Sequence, residues 1–323
     1  MKDEKRSSSP IVENAPEAFP DPKRSDSGKA AGSSKGKPSG KGKDGKGISK
    51  KQANLILIII MIVALFGCLA YIGTVVYNNI AAKNAYGAVD EIAKGSKGRM
   101  IDTDGDGIAD TEMLEGEKVV DSGSSYSPID IAALQSVNKD VYAWIRIPGT
   151  YVDYPIAQSD IEDNYYLHRS IYRSYLFAGM IYTQSCNKKD FSDPITVIYG
   201  HNMRSTTMFS SLHYFADAPF FKEHEYFYIY TADRVLTYRI ISVYKYDNRH
   251  IMNSFDFSNG KVLYNYQQFM LNPTSTVKNV RSGVSLNDES KVVVLSTCMT
   301  NDKSSRLLVN GVMVSDVPIQ KDR

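Results

Sequence analysis

The chain has 323 residues, a net charge of +2 and three cysteines, enough length for two average domains. Three cysteines make no even framework, which excludes a disulfide scaffold. The sequence holds no GxxxxGK[ST], CxxC or HExxH, and its GxGxxG match at 40–45 falls inside a Gly/Ser/Lys low-complexity tract rather than between a strand and a helix, so nucleotide and zinc chemistry have no support.

Residues 1–52 are rich in Lys, Gly and Ser and nearly devoid of large apolar side chains. Such a composition cannot bury enough surface to offset the entropy of ordering it. It reads as a disordered basic tail, with 27–47 a flexible low-complexity tract. A basic tract of this kind is ordinarily solvated, so no nucleic-acid partner is expected. Residues 55–77 then carry no charge over 23 consecutive positions. About 20 apolar residues cross a bilayer core, so 53–78 is predicted as a transmembrane helix. Lys50 and Lys51 precede it, and the positive-inside rule puts the N-terminus in the cytoplasm and everything beyond Tyr77 outside the cell. The cleaved-signal alternative fits poorly, because signal peptides have apolar cores of about 7–15 residues and short leaders. The Lys-rich tail would rest against anionic inner-leaflet lipid.

Residues 79–126 are expected to form an extracellular stalk, helical and Ala-rich where it leaves the membrane. The stalk includes the segment Asp102-Thr103-Asp104-Gly105-Asp106-Gly107-Ile108-Ala109-Asp110. Asp102, Asp104, Asp106 and Asp110 occupy positions 1, 3, 5 and 9 of a Ca²⁺ loop, with Gly107 at position 6. Position 12 is Met113, where a bidentate Glu normally closes the shell. Two readings stand: a weak Ca²⁺ site, or an acidic, glycine-rich hinge.

From 127 to 323 the texture is that of a folded core. A short helix is predicted over 129–137, with Pro128 at its start. Short β-rich runs follow at 143–147, 151–156, 178–182, 195–199, 226–230, 235–246, 291–297 and 307–314. Pro148-Gly149 marks a hairpin turn between the first two. Helical insertions are predicted at 207–215 and 259–271. Eight short strands with few helices argue a mostly β fold, an eight-stranded closed or nearly closed barrel.

The run Val292-Val293-Val294-Leu295-Ser296-Thr297 ends in Cys298 and a polar turn, after which Arg306 opens another apolar run. Upstream, 195–199 ends in Gly200-His201. A thiol and an imidazole at two strand exits, with a guanidinium across a short loop, outline a cysteine acyl-transfer site. Cysteine is often simply core, but an exposed thiol beside a cation favours the reactive thiolate. A Cys186–Cys298 bridge is compatible with the sequence and would block this chemistry. His168, His213, His224 and His250 lie in polar or helical contexts and read as structural or solvated.

At these residues the chain resembles the class B sortases. Leu295-Ser296-Thr297-Cys298 followed by Arg306 is similar to the signature TLxTC…R, with Val294 where the family usually has Thr. Ile198-Tyr199-Gly200-His201-Asn202-Met203, with Met208-Phe209, resembles the family's histidine segment. Trp144 to Pro155 resembles the start of its domain. The resemblance, over about 129–317, implies a cysteine transpeptidase on a Gram-positive surface that needs no cofactor for catalysis. Cys298 would be the nucleophile, His201 the acid/base and Arg306 the oxyanion or substrate donor. Ser296, which shares a strand face with Cys298, is a candidate substrate contact, and Asn164 and Leu167 are candidates for the groove wall. The implied partners are surface proteins bearing an NPxTx-like C-terminal sorting motif and an acceptor amine from peptidoglycan or a pilin. A papain-type peptidase would place its cysteine at a helix N-terminus rather than a strand end. A non-catalytic, calcium-dependent surface binding protein on the same scaffold is the reading from another functional class.

Overall fold

The computed structural model of the protein describes residues 49–94 and 127–319. The acidic segment containing Asp102, Asp104, Asp106 and Asp110 lies outside the described residues, as do most of the basic tail and the last four positions. The chain divides into two compact units, Met1–Cys68 and Leu69–Arg323. In the first, the described part is the beginning of helix α1, which runs over Lys50–Lys94.

Helix α1 has 45 residues, about 68 Å at ~1.5 Å per residue, roughly twice the thickness of a bilayer core. It is long and apolar enough to cross a membrane. Leu55, Ile60, Phe66 and Ile72 all expose more than half of their side chains, a surface that water disfavours and lipid does not. Beyond Tyr77 the helix changes character. Ala82, Val89 and Ala93 are buried, and Tyr86 is packed between them in sequence, at helical spacing on one face. The sequence suggested a stalk leaving the membrane at this point. Instead, this part of the helix lies against the folded domain, and the Tyr86 hydroxyl donates to the Gly179 carbonyl.

The domain begins with α2 (Ile131–Val137), capped by Asp130, whose Oδ1 accepts from Ala133 N at 2.8 Å. The strands are β1 (Val141–Arg146), β2 (Asp153–Ala157), β3 (Ile181–Thr183), β4 (Ile195–Tyr199), β5 (Tyr226–Tyr230), β6 (Arg234–Asp247), β7 (Lys278–Val280), β8 (Val292–Met299) and β9 (Asp302–Pro318). Helix α3 (Ala218–Glu223) precedes β5, and α4 (Ile251–Ser254) and α5 (Gly260–Leu271) stand between β6 and β7. The hydrogen-bonded order β5-β1-β2-β3-β4-β8-β9-β6 closes on itself through a β5–β6 pairing, giving an eight-stranded barrel. The ninth strand, β7, adds to the outside of β6 and was not foreseen, because Lys278-Asn279-Val280 is too short and polar to show a pattern. Pairs β2–β3 and β4–β8 are parallel, and the rest are antiparallel.

The unbroken apolar run of β8 follows from burial on both faces. Val293 and Leu295 point into the barrel core with Ile145, Ile198, Phe227 and Val309. Val292 and Val294 alternate to the opposite face, where Leu263, Tyr266 and Met270 of α5 cover them. Each such side chain contributes about 1.5–3 kcal/mol when fully buried. Beyond Val294 the outer face of this two-sided strand carries Ser296 and Cys298, and there polar side chains collect.

Candidate active site

Three neighbouring strands deliver three side chains to one end of that outer face. In the parallel β4–β8 pair, Tyr199 stands beside Ser296, and Gly200 N continues the ladder to Ser296 O at 3.2 Å. In the antiparallel β8–β9 pair, Ser296 stands beside Leu308 and Cys298 beside Arg306. Two residues after Tyr199 and Ser296 come His201 and Cys298, and two residues before Leu308 comes Arg306. The period of two keeps Cys298 and Arg306 on the same side as Ser296 and Leu308, and His201, just past the end of β4, enters the same groove. All six line one groove of about 270 Å³, together with Asn164, Leu167, Tyr182, Gln184, Thr297 and the segment Tyr246 to Ile251. Cys298 and Arg306 are half-buried, and Cys186 and Cys298 are both free thiols.

Arg306 is placed more firmly than its sequence context suggested. Strand β9 begins at Asp302, so Arg306 is inside the strand, directly across from the thiol, rather than at its mouth. The two-residue turn puts Asn301 in the left-handed region, at φ 62°. Asp302 closes the turn by accepting from Ser304 N, Ser304 Oγ and Ser305 Oγ and by pairing with Lys245 at 2.8 Å. These contacts, Lys245 foremost, hold its carboxyl well below the usual range.

His201 is fixed from two sides. Its Nε2 is 2.8 Å from the Leu167 carbonyl, which can only accept, so Nε2 carries the proton and Nδ1 of the neutral ring is the free base. Its ring stacks on His168 at 5.0 Å and on Phe177 at 5.9 Å between centroids. Burial pushes the His201 imidazole below its usual pKa. The Leu167 carbonyl opposes that shift, and the neighbouring His168 adds to it. Gly200 permits the close packing before it, since a Cβ there would meet Ile181 Cδ1 at 2.5 Å and the Phe209 ring at 2.6 Å.

Asn164 and Leu167 also line the groove. Asn164 Oδ1 accepts from Tyr182 Oη at 3.0 Å and from Gln184 Nε2 at 3.2 Å, which turns its own NH₂ away from that pair. Tyr182 stacks on Tyr199 at 5.5 Å, and burial raises the pKa of both phenols. The Tyr199 and Thr297 hydroxyls are buried without a hydrogen-bond partner.

All four histidines outside the trio make structural contacts, and three of them do so at the groove or beside its residues. His224 stacks on Phe220 at 3.9 Å, away from the groove. His168 stacks on His201, His250 lines the groove, and His213 Nε2 reaches the Cys298 carbonyl at 3.1 Å. Their sequence neighbourhoods carry no catalytic pattern; the fold alone brings them here. Gln184, Tyr182 and the rim Asp247-Asn248-Arg249 were likewise missed, since polar loop residues look alike until the barrel closes.

Residues 145–314 match a family model described as the Sortase domain, which covers more than half of the chain. The sequence is 29% identical over 188 residues to sortase B of Listeria monocytogenes, covering 58% of this chain and 74% of that one. It is 27% identical over 166 residues to sortase B of Staphylococcus aureus, covering 51% and 66%. The solved structure of Clostridium perfringens sortase B superposes with a TM-score of 0.52 at 28% identity, covering 58% of this chain and 100% of that chain. The chain therefore belongs to the sortase family of cysteine transpeptidases. Its relatives place it with the class B members.

Proposed function

We propose that Cys298, His201 and Arg306 are the reacting trio of this transpeptidase. The supporting observation is their convergence in a single groove, His201 from just past β4, Cys298 from near the end of β8 and Arg306 from the facing position of β9. In this reading Nδ1 of His201 takes the Cys298 thiol proton, and the thiolate attacks the scissile carbonyl of a sorting motif, a C–S bond forming as the carbonyl electrons move to oxygen. Arg306 donates to that oxyanion through its planar fork. Collapse breaks the C–N bond, and His201, protonated at Nδ1, gives its proton to the departing amine, leaving a thioester. An acceptor amine then attacks the thioester, His201 takes its proton, and the thiolate leaves. Ser296, Asn164 and Leu167 would hold the extended substrate.

The substrate in this reading is a surface protein ending in an NPxTx-like motif, and the acceptor is an amine of peptidoglycan or of a pilin. Helix α1 would anchor the enzyme as a single pass with its N-terminus in the cytoplasm, because Lys50 and Lys51 flank the apolar run on that side. Calcium at Asp102, Asp104, Asp106 and Asp110 rests on their spacing alone. A Ca²⁺-dependent rise in melting temperature, lost in Asp104→Ala, would support it, and no rise at millimolar Ca²⁺ would leave the segment a hinge.

The test of the catalytic reading is intact-mass spectrometry of the full chain in detergent with NPxTx, SPxTx and LPxTG peptides. The expected result is an adduct of the N-terminal peptide fragment on the wild type and none on Cys298→Ala. An adduct that persists on Cys298→Ala would overturn the assignment.

A further inference from the structure

The carbonyl of the proposed nucleophile is held in an unusual way. The β8–β9 register breaks between Cys298 and Met299, where the hairpin tightens. A carbonyl at such an irregularity needs partners from outside the ladder. Two side chains from the connection between β4 and α3 supply them. Asn202 Nδ2 donates to Cys298 O at 3.0 Å and also to Thr300 Oγ1 at 3.1 Å. His213 Nε2 lies 3.1 Å from the same carbonyl oxygen and, facing an acceptor, must carry the proton.

Both donors sit on an anchored platform. Asn202 follows His201 directly, and the His201 carbonyl accepts from Phe209 N at 3.0 Å. His213 rides a 3₁₀ helix, Ser210–Ala216. The Ser210 hydroxyl accepts from Met203 N at 2.7 Å and lies 2.8 Å from Met203 O. Ser211 Oγ accepts from Tyr151 N at 3.1 Å. Asn279 Nδ2 ties down the far end through Phe215 O and Ala216 O at 2.9 and 3.0 Å. The clamp therefore joins the segment that presents His201 to the peptide that presents the thiol.

We propose that Asn202 and His213 are positioning residues: together they grip the Cys298 carbonyl, fix the backbone angle at the nucleophile and so aim its thiol along the groove between His201 and Arg306. This rests on the reading of Cys298 as the nucleophile. Neither side chain reacts. A misplacement of about 1 Å at a reacting atom costs on the order of a hundredfold in rate, so a carbonyl anchor can matter without touching substrate. His213 donates through Nε2 in its neutral and its charged form, so the clamp does not open when the ring is protonated.

The experiment measures single-turnover acyl-enzyme formation by the full chain in detergent, using whichever peptide of the NPxTx, SPxTx and LPxTG panel acylates the wild type. His213→Leu and Asn202→Ala should each slow acylation about tenfold with KM changed less than about twofold, the loss of a transition-state interaction. His213→Gln, which returns an N–H donor at similar reach, should recover most of the rate. The double variant should deviate from the product of the single effects, since the two donors share one acceptor. A purely structural role would lower the melting temperature and the rate together, with no recovery in His213→Gln; that pattern overturns the proposal, as does a wild-type rate in both single variants. If His213→Leu does not fold, Asn202→Ala, a half-exposed position, carries the test alone. Cys298→Ala run in parallel separates the two ideas: its activity would sink the nucleophile reading, whereas its inactivity beside fully active clamp variants would sink only the clamp.

Discussion

Cys298 and Arg306 stand directly opposite each other across the β8–β9 hairpin, the last pair in regular register before the turn. A directly opposed antiparallel pair brings its Cβ atoms to about 4.5–5.5 Å, so the guanidinium reaches the thiol's surroundings without a mobile loop. This geometry makes the shape of the cation matter as well as its charge. Arg306→Lys should therefore slow acylation by roughly a hundredfold, the scale seen for loss of an oxyanion donor, while leaving the fold intact. Single-turnover acylation kinetics with a cleavable motif peptide check this, and a loss of less than about fivefold would show that charge alone suffices.

Acid should weaken the fold through the buried imidazoles. Burial lowers the pKa of both His201 and His213. In the unfolded chain a histidine binds its proton near pH 6.5. Between that value and the lower folded pKa, the unfolded state holds more protons, so stability falls as pH drops through that window and is unaffected well above it. Melting curves at pH 7.5 and 5.5 should show a fall for the wild type. His213→Gln should show a smaller fall, because one of the two groups has been removed. An identical pH response in both proteins would contradict this assignment.

Much of this arrangement is legible in the sequence, and the part that is not has a physical explanation. The eight barrel strands show themselves because β-branched runs such as 292–295 and 195–198 leave few other structures available. Cys298 and His201 are visible because each ends such a run, and Ser296 because the period of two puts it on the face of Cys298. Arg306 is visible as a residue but not as a cross-strand partner, since β9 starts four residues before it. The docking of α1 is hidden: Ala82, Val89 and Ala93 are small residues that read as ordinary helix formers. His168 and His213 are hidden for a different reason. Their roles depend on contacts across 33 and 85 positions of chain, to His201 and Cys298, which no local pattern encodes.

The wall that orients His201 depends on a glycine. Gly179 adopts φ +58°, and a Cβ there would meet the Leu167 carbonyl oxygen at 2.2 Å and that of Tyr166 at 2.5 Å. Both obstacles are backbone, so neither can rotate away. Leu167 O is also the acceptor that holds His201 Nε2. Gly179→Ala should therefore destabilise the domain by about 1–3 kcal/mol, and it should also reduce acylation more than that loss of folded protein explains. Thermal denaturation and acylation rates measured well below the melting temperature separate the two effects. A destabilised variant with wild-type turnover would show that the Leu167 carbonyl does not govern His201.

The remaining prediction concerns the second half of helix α1. Ala82 is fully buried in the same cluster as Tyr154, Leu176 and Ala178, and Tyr86 packs edge-on to Tyr154 at 5.0 Å. Val89 and Ala93 lie in the cluster of Trp144, Leu134 and Ile129. The Ala93 carbonyl accepts from Asp130 N at 2.7 Å, joining the helix end to the start of the domain. If this segment were a free stalk, a charge at position 82 would be solvated and harmless. Because it is a packed face, Ala82→Asp would bury an unpaired carboxylate, which costs several kcal/mol unless the helix detaches. The variant should melt at a clearly lower temperature than the wild type and become sensitive to protease within 78–94. Ala82→Ser, of similar size and without charge, should change both far less. Equal melting and protease resistance for Ala82→Asp and wild type would show that the helix stands free of the barrel.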